Sequence, residues 1–174
     1  KKCPFDAKSI EKSFEKIIKK LKEEKQNLEL ELQEKLIEWD KETLELVSSV
    51  KGIGKRAAAE LLIYTQGFKD MNSYKQLISY AGLSPTEYRS GSSIRGRVRI
   101  CKQGGKQLRN ILYMCALNAK KTNAQCRSLF DRLVDTGKNK KAAVIAVCNK
   151  LLKIVFGVVK NRSFYQENYL QKTT

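Results

Sequence analysis

Val47–Gly67, VSSVKGIGKRAAAELLIYTQG, is the stretch on which the reading of the fold turns. It holds a short apolar entry, a tight turn at Gly52-Ile53-Gly54, and an Ala-rich run, Arg56–Tyr64, with the composition of a helix. Upstream of it, residues 9–46 contain no Gly or Pro and are filled with Glu, Lys, Leu and Gln. Apolar residues recur there at Ile10, Phe14, Ile17 and Leu21, then at Leu28, Leu32, Leu36 and Trp39, mostly three or four apart. This spacing predicts one amphipathic helix about 57 Å long, carrying a narrow apolar stripe that is interrupted around Glu24 and Lys25. A stripe that narrow does not bury itself. It predicts a coiled coil with a second copy of the chain or with an antiparallel helix from elsewhere, and packing along its own domain is the alternative. The expected organisation is a long coiled-coil helix over residues 1–46 and a compact helical domain over 47–174.

Downstream, Ser73–Gly82 places Tyr74, Leu77, Ile78 and Ala81 at helical spacing and closes on glycine. From Leu83 to Gly105 no helical period exists, and Pro85, Gly91, Gly96, Gly104 and Gly105 interrupt the chain, so a loop with room for a small hairpin is expected. Lys106–Lys120 gathers Leu108, Ile111, Leu112, Cys115, Ala116 and Ala119 on one helical face, and Arg127–Val134 is a further short helix. Lys140–Lys160 is apolar nearly all round, which predicts a central buried helix. The fold class is all-α.

Composition narrows the chemistry. The chain has no histidine, which excludes a Ser-His-Asp triad, a Cys-His pair and a histidine general base. Its five cysteines, Cys3, Cys101, Cys115, Cys126 and Cys148, are odd in number and widely spaced, with no C-x-x-C pair. They read as free thiols in a reducing cytosol, some of them buried, and the expected location is the bacterial cytoplasm on the nucleoid. No unbroken apolar run reaches the roughly 18 residues of a membrane span, and Lys-Lys-Cys-Pro-Phe-Asp has no signal-peptide core behind its charge. The first residue is not Met, so preceding sequence is expected. Net charge is +17, distributed unevenly. Residues 1–50 carry 11 Lys and no Arg against 12 acidic residues, a balance of −1, which leaves +18 on the other 124. A body so cationic attracts polyanions, nucleic acid first. An anionic membrane is disfavoured, because the basic residues sit among Gly and Ser and not opposite an apolar face.

Two segments carry candidate chemistry. Lys51-Gly52-Ile53-Gly54-Lys55-Arg56, followed by a small-residue helix, has the pattern of a helix-hairpin-helix motif. Its glycines would let a phosphate approach the backbone, the next helix would present free N–H groups, Ile53 would plug the turn into the core, and Lys51, Lys55 and Arg56 would add charge. The rival reading is a plain turn between two packed helices. The second segment is the Gly/Ser-rich stretch from Tyr80 to Arg109. Between Glu87 and Asp131 there is no acidic residue, whereas ten basic ones occur, among them Arg89, Arg95, Arg97, Arg99, Lys102, Lys106 and Arg109. Such a loop suits phosphate wrapping. A serine within it would have arginines at hand to stabilise charge on phosphoryl oxygens, although Ser-Gly clusters are also ordinary flexible loops.

The order of these pieces resembles a known family. A GIG turn, then YAGLSP at Tyr80–Pro85, Tyr88-Arg89-Ser90-Gly91, and KQGGxxxLR at Lys102–Arg109 are similar to the C-terminal domain of the insertion-sequence 110/116/902 transposases, a group that includes pilin-gene inverting recombinases. The similarity runs from about Val47 to Tyr165, and the long helix resembles the coiled coil that precedes this domain in the family. The resemblance implies a partner domain of RuvC type whose four acidic residues bind Mg²⁺, and a serine that forms a covalent phosphoserine with DNA. It also implies dimers or tetramers and, in some members, a structured guide RNA. By position the serine is Ser90. Members often have two glycines after it, whereas Gly91 is followed here by Ser92, so Ser92 and Ser93 are alternates. The RuvC-like half has no counterpart in these 174 residues. No metal site, no cofactor and no strand cleavage by this chain alone are therefore expected, with Mg²⁺ belonging to the partner domain. The reading from another class is a non-enzymatic helix-hairpin-helix adaptor that holds nucleic acid and dimerises through the long helix.

Overall fold

The computed structural model describes residues 7–86, 89–90, 94–95 and 99–167. Its first helix, α1, runs Ala7–Ser48, but Asp40 leaves helical geometry at φ −160°, ψ 75°. The Asp40 Oδ1 accepts the Thr43 N–H at 3.0 Å, the bond of an N-cap. One helix by composition is thus two by geometry, and the chain divides into compact units between Trp39 and Asp40, ahead of the composition change at Leu46. In the first unit the stripe residues Ile10, Phe14, Ile17, Leu21, Leu28, Leu32 and Trp39 are exposed, whereas Leu36 is buried. Intrahelical pairs such as Lys25–Glu29 and Lys35–Glu31 line the polar side.

The second unit is a helical bundle. After the Gly52 turn come α2 (Lys55–Thr65), α3 (Tyr74–Tyr80), four two-residue strands, and then α4 (Lys106–Thr122), α5 (Ala124–Asp135) and α6 (Lys140–Lys160). Ser73 caps α3 by accepting the Gln76 N–H at 3.2 Å, and Asn123 caps α5 by accepting the Cys126 N–H at 3.2 Å. The strands are β1 (Pro85–Thr86), β2 (Arg89–Ser90), β3 (Ile94–Arg95) and β4 (Arg99–Ile100). They form two nested antiparallel ladders, Pro85↔Ile100 with Thr86↔Arg99 outside and Arg89↔Arg95 with Ser90↔Ile94 inside. The described residues of the segment expected as a loop with room for a small hairpin thus form two short ladders.

The helix α6 is the centre of this unit, with α3, α4 and α5 packed on it. Ala143, Val144, Val147, Cys148, Leu151, Leu152, Val155 and Val158 are buried along it. By length and composition α6 would also qualify to cross a membrane, because Asn149, Lys150 and Lys153 break its apolar run without dominating its mean hydropathy. A count of unbroken apolar residues overlooks that. Its apolar faces instead meet Leu61, Leu62, Leu77, Leu108 and Leu112 in one core, where each buried Leu or Val contributes about 1.5–3 kcal/mol by leaving water. Cys115, Cys126 and Cys148 belong to the same core. Burial pushes the first two thiols up to about 11 and Cys148 up to about 12, so all three stay protonated and unreactive near neutrality.

Candidate nucleic-acid interface

The sequence-selected residues gather at the two ends of α4. At its C-terminal end lies the Gly52 turn. Gly52 sits at φ +106°, and a Cβ placed on it would come within 2.5 Å of the Ala119 Cβ. Its glycine is thus required by packing against α4. Gly54 is different: its φ is −83°, a Cβ there would meet nothing within 4 Å, and α2 begins on it with no side-chain cap. Open backbone at a helix start is where an anion fits. Ile53 is buried between these two glycines and bonds the Val50 carbonyl at 2.9 Å.

The cations of the turn are only partly available. Lys51 Nζ contacts Glu167 Oε2 at 2.6 Å, and Arg56 Nε contacts Glu60 Oε1 at 3.3 Å. Lys55 and Arg56 are exposed beside Gly54. Glu167 is a residue that sequence reading missed. Besides Lys51, its carboxylate accepts the Ala124 N–H at 3.0 Å, and its backbone carbonyl accepts Gln125 Nε2 at 3.1 Å. The Lys51 bond, then the Ala124 N–H, hold this carboxyl below the usual glutamate range. The contact thus adds stability above the ordinary glutamate pKa and loses it as pH falls through the lowered one. Asn123, fully buried, ties the turn to α5 by donating from Nδ2 to the Lys51 carbonyl at 3.3 Å. Nothing in local sequence announces a partner that returns from more than a hundred residues away.

At the N-terminal end of α4 the chain builds a clasp. The Lys102 N–H bonds the Gly82 carbonyl at 3.1 Å and the Cys101 N–H bonds the Ser84 carbonyl at 2.9 Å. Arg109 Nη1 donates to the Gly104 carbonyl at 2.5 Å and to the Ala81 carbonyl at 3.3 Å. A Cβ on Gly104 would fall 2.0 Å from the Tyr80 carbonyl oxygen, so the two backbones touch there, and Gly82 sits at φ +67°. Lys102 also has positive φ, at 59°. The YAGLSP and KQGGxxxLR segments are therefore the two halves of one clasp, and it holds the feet of the hairpin, β1 and β4. Arg109, selected as a strand-contacting cation, has its Nη1 engaged inside this clasp.

Beyond the clasp, Arg99, Lys102 and Lys106 are exposed, and α4 starts at Gly105 with no side-chain cap. The inner ladder pairs Arg89 directly with Arg95 and carries Ser90 opposite Ile94. Ser92, Ser93 and Arg97 lie outside the described residues. The turn and the clasp are brought to the same helix but not to the same place: Ala119 and Gly105 are about 20 Å apart along α4 at 1.5 Å per residue. The helix α2 lies along α4 between them, since Gly52 meets the far end of α4 while Tyr64 hydrogen-bonds Gln107 near its start.

Two clefts of about 280 and 300 Å³ lie against α6, and neither is lined by a residue selected from the sequence. Among the described residues no three His, Cys, Asp or Glu side chains converge.

The model of the Transposase IS116/IS110/IS902 family matches residues 44–131, which span the turn, the clasp, the hairpin, α4 and most of α5. The pilin gene-inverting protein of Moraxella lacunata is 36% identical over 121 residues, covering 68% of this chain and 38% of that protein. The insertion element IS110 uncharacterized 43.6 kDa protein of Streptomyces coelicolor is 28% identical over 121 residues, covering 70% of this chain and 30% of that protein. The chain thus spans 30–38% of the length of these relatives. With its turn, clasp and hairpin all inside the matched region, the chain belongs to the IS116/IS110/IS902 transposase family.

Proposed function

We propose that this chain is the DNA-engaging, serine-bearing C-terminal part of a transposase or site-specific recombinase of a mobile insertion sequence. The observation that carries the reading is the clasped hairpin. A two-residue ladder of Arg89, Ser90, Ile94 and Arg95 is marginal alone, and here the outer ladder flanking it, β1 with β4, is held by the clasp of Arg109, Gly82 and Gly104. Fixing matters to catalysis because a nucleophile held in place converts an encounter into an intramolecular step. In the full-length protein the hydroxyl of Ser90 attacks a DNA phosphorus and its proton passes to a base. The Oγ–P bond forms, one P–O bond to deoxyribose breaks, and the released sugar oxygen takes a proton. The phosphoserine then reverses onto a new strand end. Arg89, Arg95, Arg97, Arg99 and Lys102 neutralise the phosphates, while the open starts of α2 and α4 receive others about 20 Å apart.

Mg²⁺ would be held outside these residues, by the RuvC-like domain, and this chain alone cuts nothing. A second copy covers the exposed stripe of α1, giving a dimer or tetramer, and a structured guide RNA is an alternative polyanion for the same basic face. The test is Ser90→Ala in the full-length recombinase. Recombination should vanish while DNA binding persists. Activity that survives moves the role to Ser92 or Ser93. Activity that survives replacement of all three serines leaves only the adaptor reading, a non-enzymatic helix-hairpin-helix holder of nucleic acid.

A further inference from the structure

The Glu167 carboxylate occupies a setting made for an anion. The Lys51 ammonium lies 2.6 Å from Oε2, and the Ala124 N–H, at the start of the twelve-residue α5, lies 3.0 Å from Oε1. Arg127 adds its positive field to the same carboxylate while its guanidinium bonds the Lys121 carbonyl. An ammonium combined with a helix-start N–H is a donor set suited equally to a carboxylate and to a phosphate oxygen.

The donors do not depend on Glu167 for their placement. Buried Asn123 joins the Lys51 carbonyl to the Cys126 N–H, so the turn and the start of α5 are fixed to each other from within. Glu167 comes in on a separate strap, residues 163–167, which is pinned to the turn side by the Tyr165 N–H donating to Ser49 Oγ at 3.0 Å. The strap brings an acidic group to a unit whose charge is otherwise strongly positive, and it does so beside the turn that the functional reading turns toward nucleic acid.

We infer that Lys51 and the Ala124 N–H form a backbone-phosphate site that Glu167 fills in the free protein, and that a nucleic-acid phosphate displaces Glu167 on binding. This inference rests on the reading that the Gly52 turn faces nucleic acid. The exchange breaks no covalent bond. Glu167 acts as a tethered competitor, and its local concentration on so short a strap lowers the affinity of the site for phosphates that arrive from solution. Where a phosphate does bind, the expelled carboxylate swings away from a like charge.

The experiment compares duplex DNA binding by the full 174-residue chain across a salt series, for wild type, Glu167→Gln, Lys51→Gln, the double variant, and Asp135→Asn. Asp135→Asn removes an exposed carboxylate elsewhere on α5 and so reports the effect of net charge alone. Glu167→Gln should bind about 3–10-fold tighter than Asp135→Asn with an unchanged salt slope, because the same phosphate contact forms once Glu167 has left. In the Lys51→Gln background the gain should disappear. The Ala124 amide resonance of the wild type should also shift at saturating DNA, a reading that needs no variant to fold. Binding by Glu167→Gln no tighter than by Asp135→Asn, a gain that survives Lys51→Gln, or an unmoved Ala124 amide overturns the displacement and leaves the DNA-facing turn standing. Failure of wild type and Glu167→Gln alike to bind DNA overturns that reading, and the displacement with it.

Discussion

Gly52 and Gly54 look equivalent in a G-x-G turn, yet their surroundings give them opposite roles. Gly52 combines a positive φ with contact on Ala119, so Gly52→Ala meets both backbone strain and a steric clash. It should lower stability by more than about 1 kcal/mol, read as a fall in the chemical-denaturation midpoint. Gly54→Ala finds open space and an ordinary φ, so the denaturation midpoint should stay close to wild type. If the turn lies against a phosphate, the added methyl should still weaken DNA binding severalfold. Equal affinity of Gly54→Ala and wild type would remove the turn from the interface. The sequence could select both glycines, but only their neighbours separate the packing glycine from the exposed one.

The clasp is a device of elements: strand feet, the end of α3 and the start of α4 meet through backbone atoms. Gly104→Ala drives a Cβ toward the Tyr80 carbonyl, and Arg109→Ala removes the guanidinium that bridges residues 81 and 104. Both changes should free the hairpin without touching the core behind it. In the full-length protein they should lower recombination at least tenfold with helical content preserved by circular dichroism. Normal recombination by Arg109→Ala would show that the hairpin needs no clasp. Here the sequence held the right residues under a partial explanation: YAGLSP and KQGGxxxLR were legible as a pattern and a basic surface, but not as two halves that touch, because contact between backbones twenty residues apart leaves no periodicity. The break at Asp40 is also an element-scale event. An Asp is a good N-cap residue, but at Asp40 that signal is masked by unbroken helical composition on both sides.

At the scale of the whole molecule, charge and exposed apolar surface are set apart along the chain. The first unit is near neutral and leaves Phe14, Leu21 and Leu28 more than half exposed, whereas the second carries the cationic excess. Large apolar groups in a row on one helix favour self-association. The chain should sediment at a multiple of its 19.9 kDa mass at micromolar concentration. Replacing Phe14, Leu21 and Leu28 together by Ser should return it to monomer with the denaturation of residues 40–167 unchanged. A wild-type monomer under those conditions would assign the stripe to a helix outside this chain.

What the sequence by itself determined is whatever repeats at short range or sums over length. The helices α2 to α6, the all-α class, the buried α6, the absence of histidine chemistry and the concentration of positive charge all follow from periodicity and counting. The turn and the Arg/Ser/Gly stretch were visible for the same reason, as local departures from helical pattern. Only the tertiary structure decided that the turn and the clasp stand at opposite ends of α4, that Gly52 serves packing, that Arg109 is engaged at the hairpin's base, and that Glu167 covers Lys51. Each of these joins residues distant along the chain through one or two specific contacts. Such contacts are fixed by how the core brings the elements together, and no local pattern encodes them.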